Sequence, residues 1–243
     1  LALDAFLKTD VDAEAVVAEN LSEIAELNQK VVKYLVNISA NASTNMHSEG
    51  SISSMYYVLG DILGVGDLST NICKYTRKVN NGEITFNYIV YTEIKEMYDK
   101  VREMYDIAMD CFLTKDDGKL SEVERAEDEI DRLRRQLVNK HIERLNKGEC
   151  NPESNGVFVN LVGNIERMAD HLTFIAESIH NRPGDNAWPF LCNFYTDTLF
   201  VFDYFSKMVY NIDSFWVKSI SFDKVYALAD EQNVDLCPIL NKM

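Results

Sequence analysis

The sequence predicts an all-α chain: two antiparallel three-helix bundle repeats with a C-terminal helical appendage. Three observations carry this expectation: an internal repeat, apolar residues in alternating steps of three and four, and a scarcity of helix breakers. Only 10 Gly and 4 Pro occur in 243 residues, and Pro183, Pro189 and Pro238 all lie beyond residue 181. Long uninterrupted helices follow, because proline removes a backbone donor and clashes with the preceding turn. An apolar content of 47% suffices to fill a core at this length.

The repeat is visible when the chain is compared with itself. At an offset of 106, Leu3-Asp4-Ala5-Phe6-Leu7 falls on Met109-Asp110-Cys111-Phe112-Leu113, and Val17, Ile24, Leu27 and Val31 fall on Val123, Ile130, Leu133 and Leu137. After a small indel the offset is 103, so that Leu59-Gly60-Asp61-Ile62 meets Val162-Gly163-Asn164-Ile165, Asp67 meets Asp170 and Ile72 meets Ile175. Self-similarity sustained over such a distance marks two copies of one unit.

The second copy shows its three helices in order. The first carries Ile94, Met97, Val101, Met104, Ala108 and Cys111, the second Val123, Ala126, Ile130, Leu133 and Leu137, and the third Phe158, Leu161, Ile165, Met168, Leu172, Ile175 and Ile179. Each set forms one apolar seam, as antiparallel bundle packing requires. Asp116-Asp117-Gly118 breaks the chain between the first two helices, and Lys147-Gly148-Glu149-Cys150-Asn151-Pro152 between the second and third. In the first copy only residues up to about 8 match the end of the opening helix, and a Ser/Asn-rich loop is expected from 39 to 53. The expected organisation is residues 1–80 as a first repeat with a truncated N-terminal helix, 86–181 as a second, and 182–243 as an aromatic-rich tail. In that tail Phe190, Phe194, Leu199, Phe202, Phe205 and Val209 keep roughly helical spacing. Such a segment packs on the bundles, or meets a partner or a membrane surface.

Composition narrows the function. A formal net charge of −15 repels a phosphate backbone, so nucleic acid is not an expected partner. The five cysteines, at 73, 111, 150, 192 and 237, form no close pair, which argues against a disulfide framework and for a reducing, cytoplasmic setting. No apolar stretch reaches bilayer-spanning length, and Leu1-Ala2-Leu3 running into Asp4 lacks the basic start of a signal peptide. The two Glu-x-x-His motifs that a di-metal oxidase needs, one on each of two helices, nucleotide-binding glycine loops and a nucleophile elbow are not found, so an enzyme is not expected.

The acidic pairs are the chemical feature that stands out. Glu127 and Asp131 are four apart on the second helix of the second copy, and Glu166 and Asp170 are four apart on the third. Like charges at that spacing share a helix face and repel by about 0.2–0.5 kcal/mol. A solvated surface tolerates this easily, and two such pairs on neighbouring helices equally offer an oxygen-rich site for a hard or borderline cation. Arg167 and His171 are also four apart. They suit either contact with phosphate or, as the weightier reading, ordinary pairing at a helix surface.

Glu127-xxx-Asp131 together with Asn164-Ile165-Glu166-Arg167-Met168-Ala169-Asp170-His171 resembles the PhoU family. More narrowly, it is similar to the PhoU-like cytoplasmic domain of bacterial sodium/phosphate cotransporters. All eight positions match the family phrase (D/N)-(L/I)-E-R-(I/M)-(G/A)-D-H. The resemblance implies paired three-helix bundles and control of phosphate uptake. It also implies metal clusters on the bundle surface, a divalent or ferric ion here being held by Glu127, Asp131, Glu166 and Asp170. The first copy departs from the phrase. Leu63 stands for the Glu, Gly64 for the Arg and Leu68 for the His, and Leu21 and Ala25 stand where Glu127 and Asp131 do. Asp61 and Asp67 are the acidic residues left there.

The expected function is thus a regulatory module on the cytoplasmic side of a bacterial inner membrane. Its expected partner is the membrane part of a sodium/phosphate cotransporter or a phosphate-signalling protein, with a homodimer compatible with either. The alternatives are a metal-free helical interaction module and a stand-alone phosphate-signalling regulator.

Overall fold

A computed structural model describes residues 1–41, 46–114 and 116–181. The described residues are helical throughout: α1 (Ala2–Lys8), α2 (Ala13–Asn41), α3 (Met46–Asn80), α4 (Tyr88–Thr114), α5 (Asp117–Asn146) and α6 (Asn155–Glu177). Single 3-10 turns at Pro152–Ser154 and Ser178–Asn181 flank α6. The aromatic segment 182–243 expected as a helical appendage lies outside the described residues, and so does the role considered for it.

Local sequence explains where the helices stop. Thr9 closes α1 in the left-handed region (φ 55°), its N–H donating to the carbonyls of Ala5 and Phe6. The Asp116 carboxylate accepts from the Gly118 N–H at 2.9 Å, so α5 starts one residue into the predicted break and takes in Gly118. At the far end of α5 the chain turns away through Gly148 at φ 71°, a conformation that only glycine reaches without strain. Asn87 and Asn151 play the Asp116 role before α4 and α6, accepting from Val90 N–H at 3.1 Å and Glu153 N–H at 3.0 Å. The loop expected over 39–53 is mostly helix instead: α2 runs to Asn41 and α3 begins at Met46. Ser and Asn lower helix propensity only modestly, and continuation of two long packed helices outweighs that preference.

Helices α4, α5 and α6 pack against one another as one three-helix bundle. The predicted seams are what they bury: Ile94, Met97, Val101, Met104, Ala108 and Cys111 meet Val123, Ile130, Leu133 and Leu137 and the whole α6 row from Phe158 to Ile179. Helix α2 pairs with α3, and the short α1 packs on α3 and α4, where Phe6 stacks on Tyr91 with ring centroids 5.9 Å apart. The two units are not separate bodies. Helix α3 lies along α6, and Val58, Ile62, Val65, Leu68 and Ile72 belong to the same buried cluster as the second bundle. Each buried Leu, Ile or Met contributes about 1.5–3 kcal/mol. A smaller cluster of Val31, Leu35, Met55 and Leu59 joins the far halves of α2 and α3.

One polar network sits inside this apolar seam. Glu93 on α4 and Arg144 on α5 form a bidentate ion pair at 2.7 and 2.8 Å, with side chains only 8% and 10% exposed. The buried His141 ring stacks on Phe158 at 4.1 Å between centroids, and its Nδ1 stands 3.5 Å from the same guanidinium. Because a guanidinium only donates, Nδ1 accepts and the ring proton resides on Nε2. Burial foremost, then the Arg144 charge, hold the imidazole below its ordinary pKa.

Two outcomes follow. Replacing Glu93 by Ala leaves Arg144 as an unpaired buried charge and lowers unfolding stability by about 3–5 kcal/mol, read from urea midpoints; a loss under 1 kcal/mol would show that solvent reaches the pair. His141 is neutral in the fold and charges more readily once unfolded, so stability is full above the unfolded value of about 6.5 and falls as pH drops below it. The decline in melting temperature from pH 7 to pH 5.5 is therefore smaller in His141→Phe than in the parent protein.

Candidate cation site on the α5–α6 seam

The four acidic residues singled out in the sequence all lie where α5 meets α6. They share one side of that antiparallel pair because each helix repeats its face every three to four residues. Arg134 on α5 stands 3.8 Å from Glu166 on α6, and in the same antiparallel register Asp131 comes level with Asp170. Glu127, Asp131, Glu166 and Asp170 are all half-buried at this seam.

Their ionisation shows that they sense one another. Burial, then the charges of Asp170, Asp128, Asp131 and Glu166, raise the Glu127 carboxyl above the ordinary range. Burial and Asp170 do the same to Glu166, against the pull of Arg134. At Asp170, burial again leads, with Asp131 adding to it and His171 opposing. Desolvation plus like charge disfavours ionised carboxylates, so the seam holds more negative charge than its surroundings neutralise.

Two arginines absent from the sequence-based site take part. Asp131 is ion-paired with Arg135 one turn along α5, and Glu166 with Arg134. Arg134 Nε is buried and has no hydrogen-bond partner among the described residues. Arg135, at i+4 from Asp131, was a readable signal for ion pairing, whereas the Arg134–Glu166 pair joins two helices and was not. As the side chains stand, no group of three or more His, Cys, Asp or Glu among the described residues converges as a ligand set. By donor chemistry alone, four carboxylates are of the kind that a hard or borderline cation takes. Holding one requires Asp131 and Glu166 to swing off their arginines.

The equivalent seam of the first repeat is apolar. Leu21 and Leu63 pack against the main core, Ala25 is half-buried beside them, and Asp67 is exposed. Asp61 has turned to the other repeat: its Oδ1 accepts from His171 Nδ1 at 2.9 Å, across the α3–α6 interface. Adding 103 to Asp61 gives Asn164, and subtracting 103 from His171 gives Leu68, so the mirror pair is lost and Asn164 Nδ2 reaches Tyr75 Oη at 3.5 Å instead. Arg167 is exposed. A cleft of about 260 Å³ lined by Asn87, His141, Cys150 and Ser154, among others, lies ten or more residues along α5, roughly 15 Å away, and shares no residue with the seam.

The helical architecture is one that known proteins share. Residues 94–179 match the family model of the PhoU domain. The match covers α4 from Ile94 onward, all of α5 and α6, and every residue of the acidic seam. A relative 24% identical over 176 residues, covering 72% of this chain and 75% of its own length, is the phosphate-specific transport system accessory protein PhoU homolog 1 of Thermotoga maritima. The crystal structure of PhoU from Pseudomonas aeruginosa superposes with a TM-score of 0.66 at 18% identity, over 73% of this chain and 84% of that one. The PhoU domain is supported by sequence, and the fold by structure.

The ionisation pattern generates a prediction. An acid whose pKa is raised by folding holds its proton better in the native state, so stability falls as pH rises from the unfolded value through the folded one. Without added metal, Glu127→Gln and Asp170→Asn each raise stability at pH 7.5 by on the order of 0.2–0.5 kcal/mol, allowing for solvent screening at these half-exposed groups. The gain vanishes near pH 4. Urea unfolding in chelator at the two pH values reads it, and equal midpoints for parent and both variants at pH 7.5 would refute the unrelieved repulsion.

Proposed function

We propose that this protein is a PhoU-like regulator of phosphate transport whose second repeat holds a cation between α5 and α6. The observation that carries the reading is the PhoU domain over residues 94–179, which encloses Glu127, Asp131, Glu166 and Asp170. The relative named as an accessory protein of a phosphate-specific transport system supports the regulatory assignment. No catalytic step is assigned to any residue.

In this reading the ion is divalent or ferric, and the four carboxylates are its protein ligands. Once bound, it supplies the positive charge that the seam lacks. Glu127, Asp131, Glu166 and Asp170 would hold it, with Arg134 and Arg135 giving up Glu166 and Asp131. A regulator built this way presents a different charge pattern to its partner in its two states. The partner we assign is the membrane part of a sodium/phosphate cotransporter, with the domain at its cytoplasmic side. Among the described residues no helix is long and apolar enough to cross a membrane, so attachment to the bilayer falls to that partner or to residues outside those described.

A second reading has its own support. With Asp131 and Glu166 already paired to arginines, the seam also suits a metal-free surface that docks a helical partner. Titration of the chelator-treated protein with Mn²⁺ and Fe³⁺, followed by elemental analysis after gel filtration, decides between them. Cation retention in the parent protein, lost in Asp131→Ala and in Asp170→Ala, is the expected result. Equal retention in both variants rejects the four-carboxylate site, and no retention in the parent favours the metal-free surface.

A further inference from the structure

Where α5 ends, the loop before α4, the last turns of α5 and the loop before α6 enclose the cleft of about 260 Å³. Val90, His141 and Ser154 form its floor, 1%, 0% and 1% exposed, while Asn87, Glu149 and Asn151 stand exposed at its mouth. His141 has one uncommitted polar atom in this lining. Its ring is stacked on Phe158 and its Nδ1 faces Arg144, which leaves Nε2–H, a buried donor with no hydrogen-bond partner among the described residues. A buried donor left unpaired costs about 1–3 kcal/mol, so an acceptor that enters the cleft gains by meeting it. The mouth is rich in donors as well. Asn87 and Asn151 commit their side-chain oxygens to the N–H groups of Val90 and Glu153, so each keeps its amide N–H groups for an occupant.

Charge and size decide which acceptor fits. No Lys or Arg lines the cleft, the nearby Arg144 is matched by two hydrogen bonds to Glu93, and the one acidic lining residue is Glu149. An anion entering here loses hydration without meeting a countercharge, a cost that an uncharged acceptor escapes. Phe86 and Val90 add apolar wall. The volume of about 260 Å³ exceeds the roughly 150 Å³ that admits benzene, so there is room for a single ring with a carbonyl substituent. We propose that this cleft is a binding site for a small uncharged carbonyl compound, an aromatic or cyclic amide, whose oxygen accepts from His141 Nε2–H and whose ring lies against Phe86 and Val90. The site shares no residue with the carboxylate seam and does not rest on a cation there. Its lining comes from the segments before α4, at the end of α5 and before α6, so an occupant bridges the ends of all three helices of the second bundle.

Benzamide is the probe, with benzoate, toluene and inorganic phosphate as its charged, acceptor-free and oxyanion counterparts. Each is titrated into the full chain while long-range ¹H–¹⁵N spectra follow the His141 ring and amide spectra follow the backbone. Benzamide moves the Nε2 signal saturably, toluene and benzoate bind at least about fivefold more weakly, and phosphate leaves the ring signals in place. Loss of the single hydrogen bond in His141→Phe weakens benzamide roughly 5–10-fold. Cys150→Phe, which fills the cleft from the loop between α5 and the 3-10 turn, abolishes benzamide binding. If His141→Phe fails to fold, Cys150→Phe carries the comparison, and undiminished benzamide binding in that variant overturns the site. Toluene binding as tightly as benzamide overturns the role of Nε2–H. Tighter binding of benzoate or phosphate than of benzamide, with the same displacement of the His141 signal, overturns the assignment of an uncharged ligand. A Nε2 signal that stays fixed up to the solubility of benzamide overturns the proposal as a whole.

Discussion

Helix α3 lies antiparallel along α6, and most of what distinguishes this protein is arranged about that contact. The two helices are the equivalent third members of the two repeats, so the interface brings each copy of the phrase Asp61–Leu68 and Asn164–His171 against the other. Val58, Ile62, Val65, Leu68 and Ile72 interleave with the α6 row from Leu161 to Ile175 in one continuous core. Close packing of that density leaves little freedom to rotate either helix without opening cavities. The orientation of α6 toward α5 is thereby constrained from the opposite side of the bundle. Asp61, hydrogen-bonded to His171, and Gly64, close against the His171 ring, add a polar contact to this apolar interface.

The acidic seam runs against the usual economy of a helical bundle. Half-burial of Glu127, Glu166 and Asp170 raises their pKa values for two reasons that act together, lost hydration and mutual charge. Arg134 and Arg135 relieve part of this, but at the margin of the cluster and through single contacts. Elsewhere the same bundle handles buried charge differently. Glu93 and Arg144 are matched one to one with two hydrogen bonds and lie well inside. That pair is a finished interaction, with the stacked His141 beside it. The seam is an unfinished one, and residues kept at a local disadvantage are where a ligand gains most by binding.

Much of the fold was legible because helical bundles are specified by short-range periodicity. The seams from Ile94 to Cys111 and from Phe158 to Ile179 were visible as steps of three and four, and they are the residues buried. The carboxylate pairs were legible for the same reason, since i to i+4 spacing is a local property. What escaped the sequence depends on contacts between distant segments. Asp61 and His171 are 110 positions apart, and nothing in either neighbourhood announces the other. Glu93 is charged and sits just before Ile94, so it reads as solvated until Arg144, 51 residues on, is seen to meet it. The serine- and asparagine-rich stretch before Ser54 read as loop because composition was weighed there without the packing that extends α3 back to Met46.

The loss of one acidic seam and the retention of the other have a single structural consequence. In a symmetric pair of repeats, each third helix presents its carboxylates to its own second helix and its aspartate and histidine to the other copy. Here Leu21, Ala25 and Leu63 have turned the first seam into apolar contact that anchors α2 and α3 to the core. Leu68 has removed the reciprocal histidine, so only the crossing contact from Asp61 to His171 survives. On the other side of the seam, α5 contacts α4 and α6 but not α3 in any extensive way. Arg134 and Arg135 pair with Glu166 and Asp131 at the retained seam, where the first repeat has Leu63 and Ala25 at the corresponding positions.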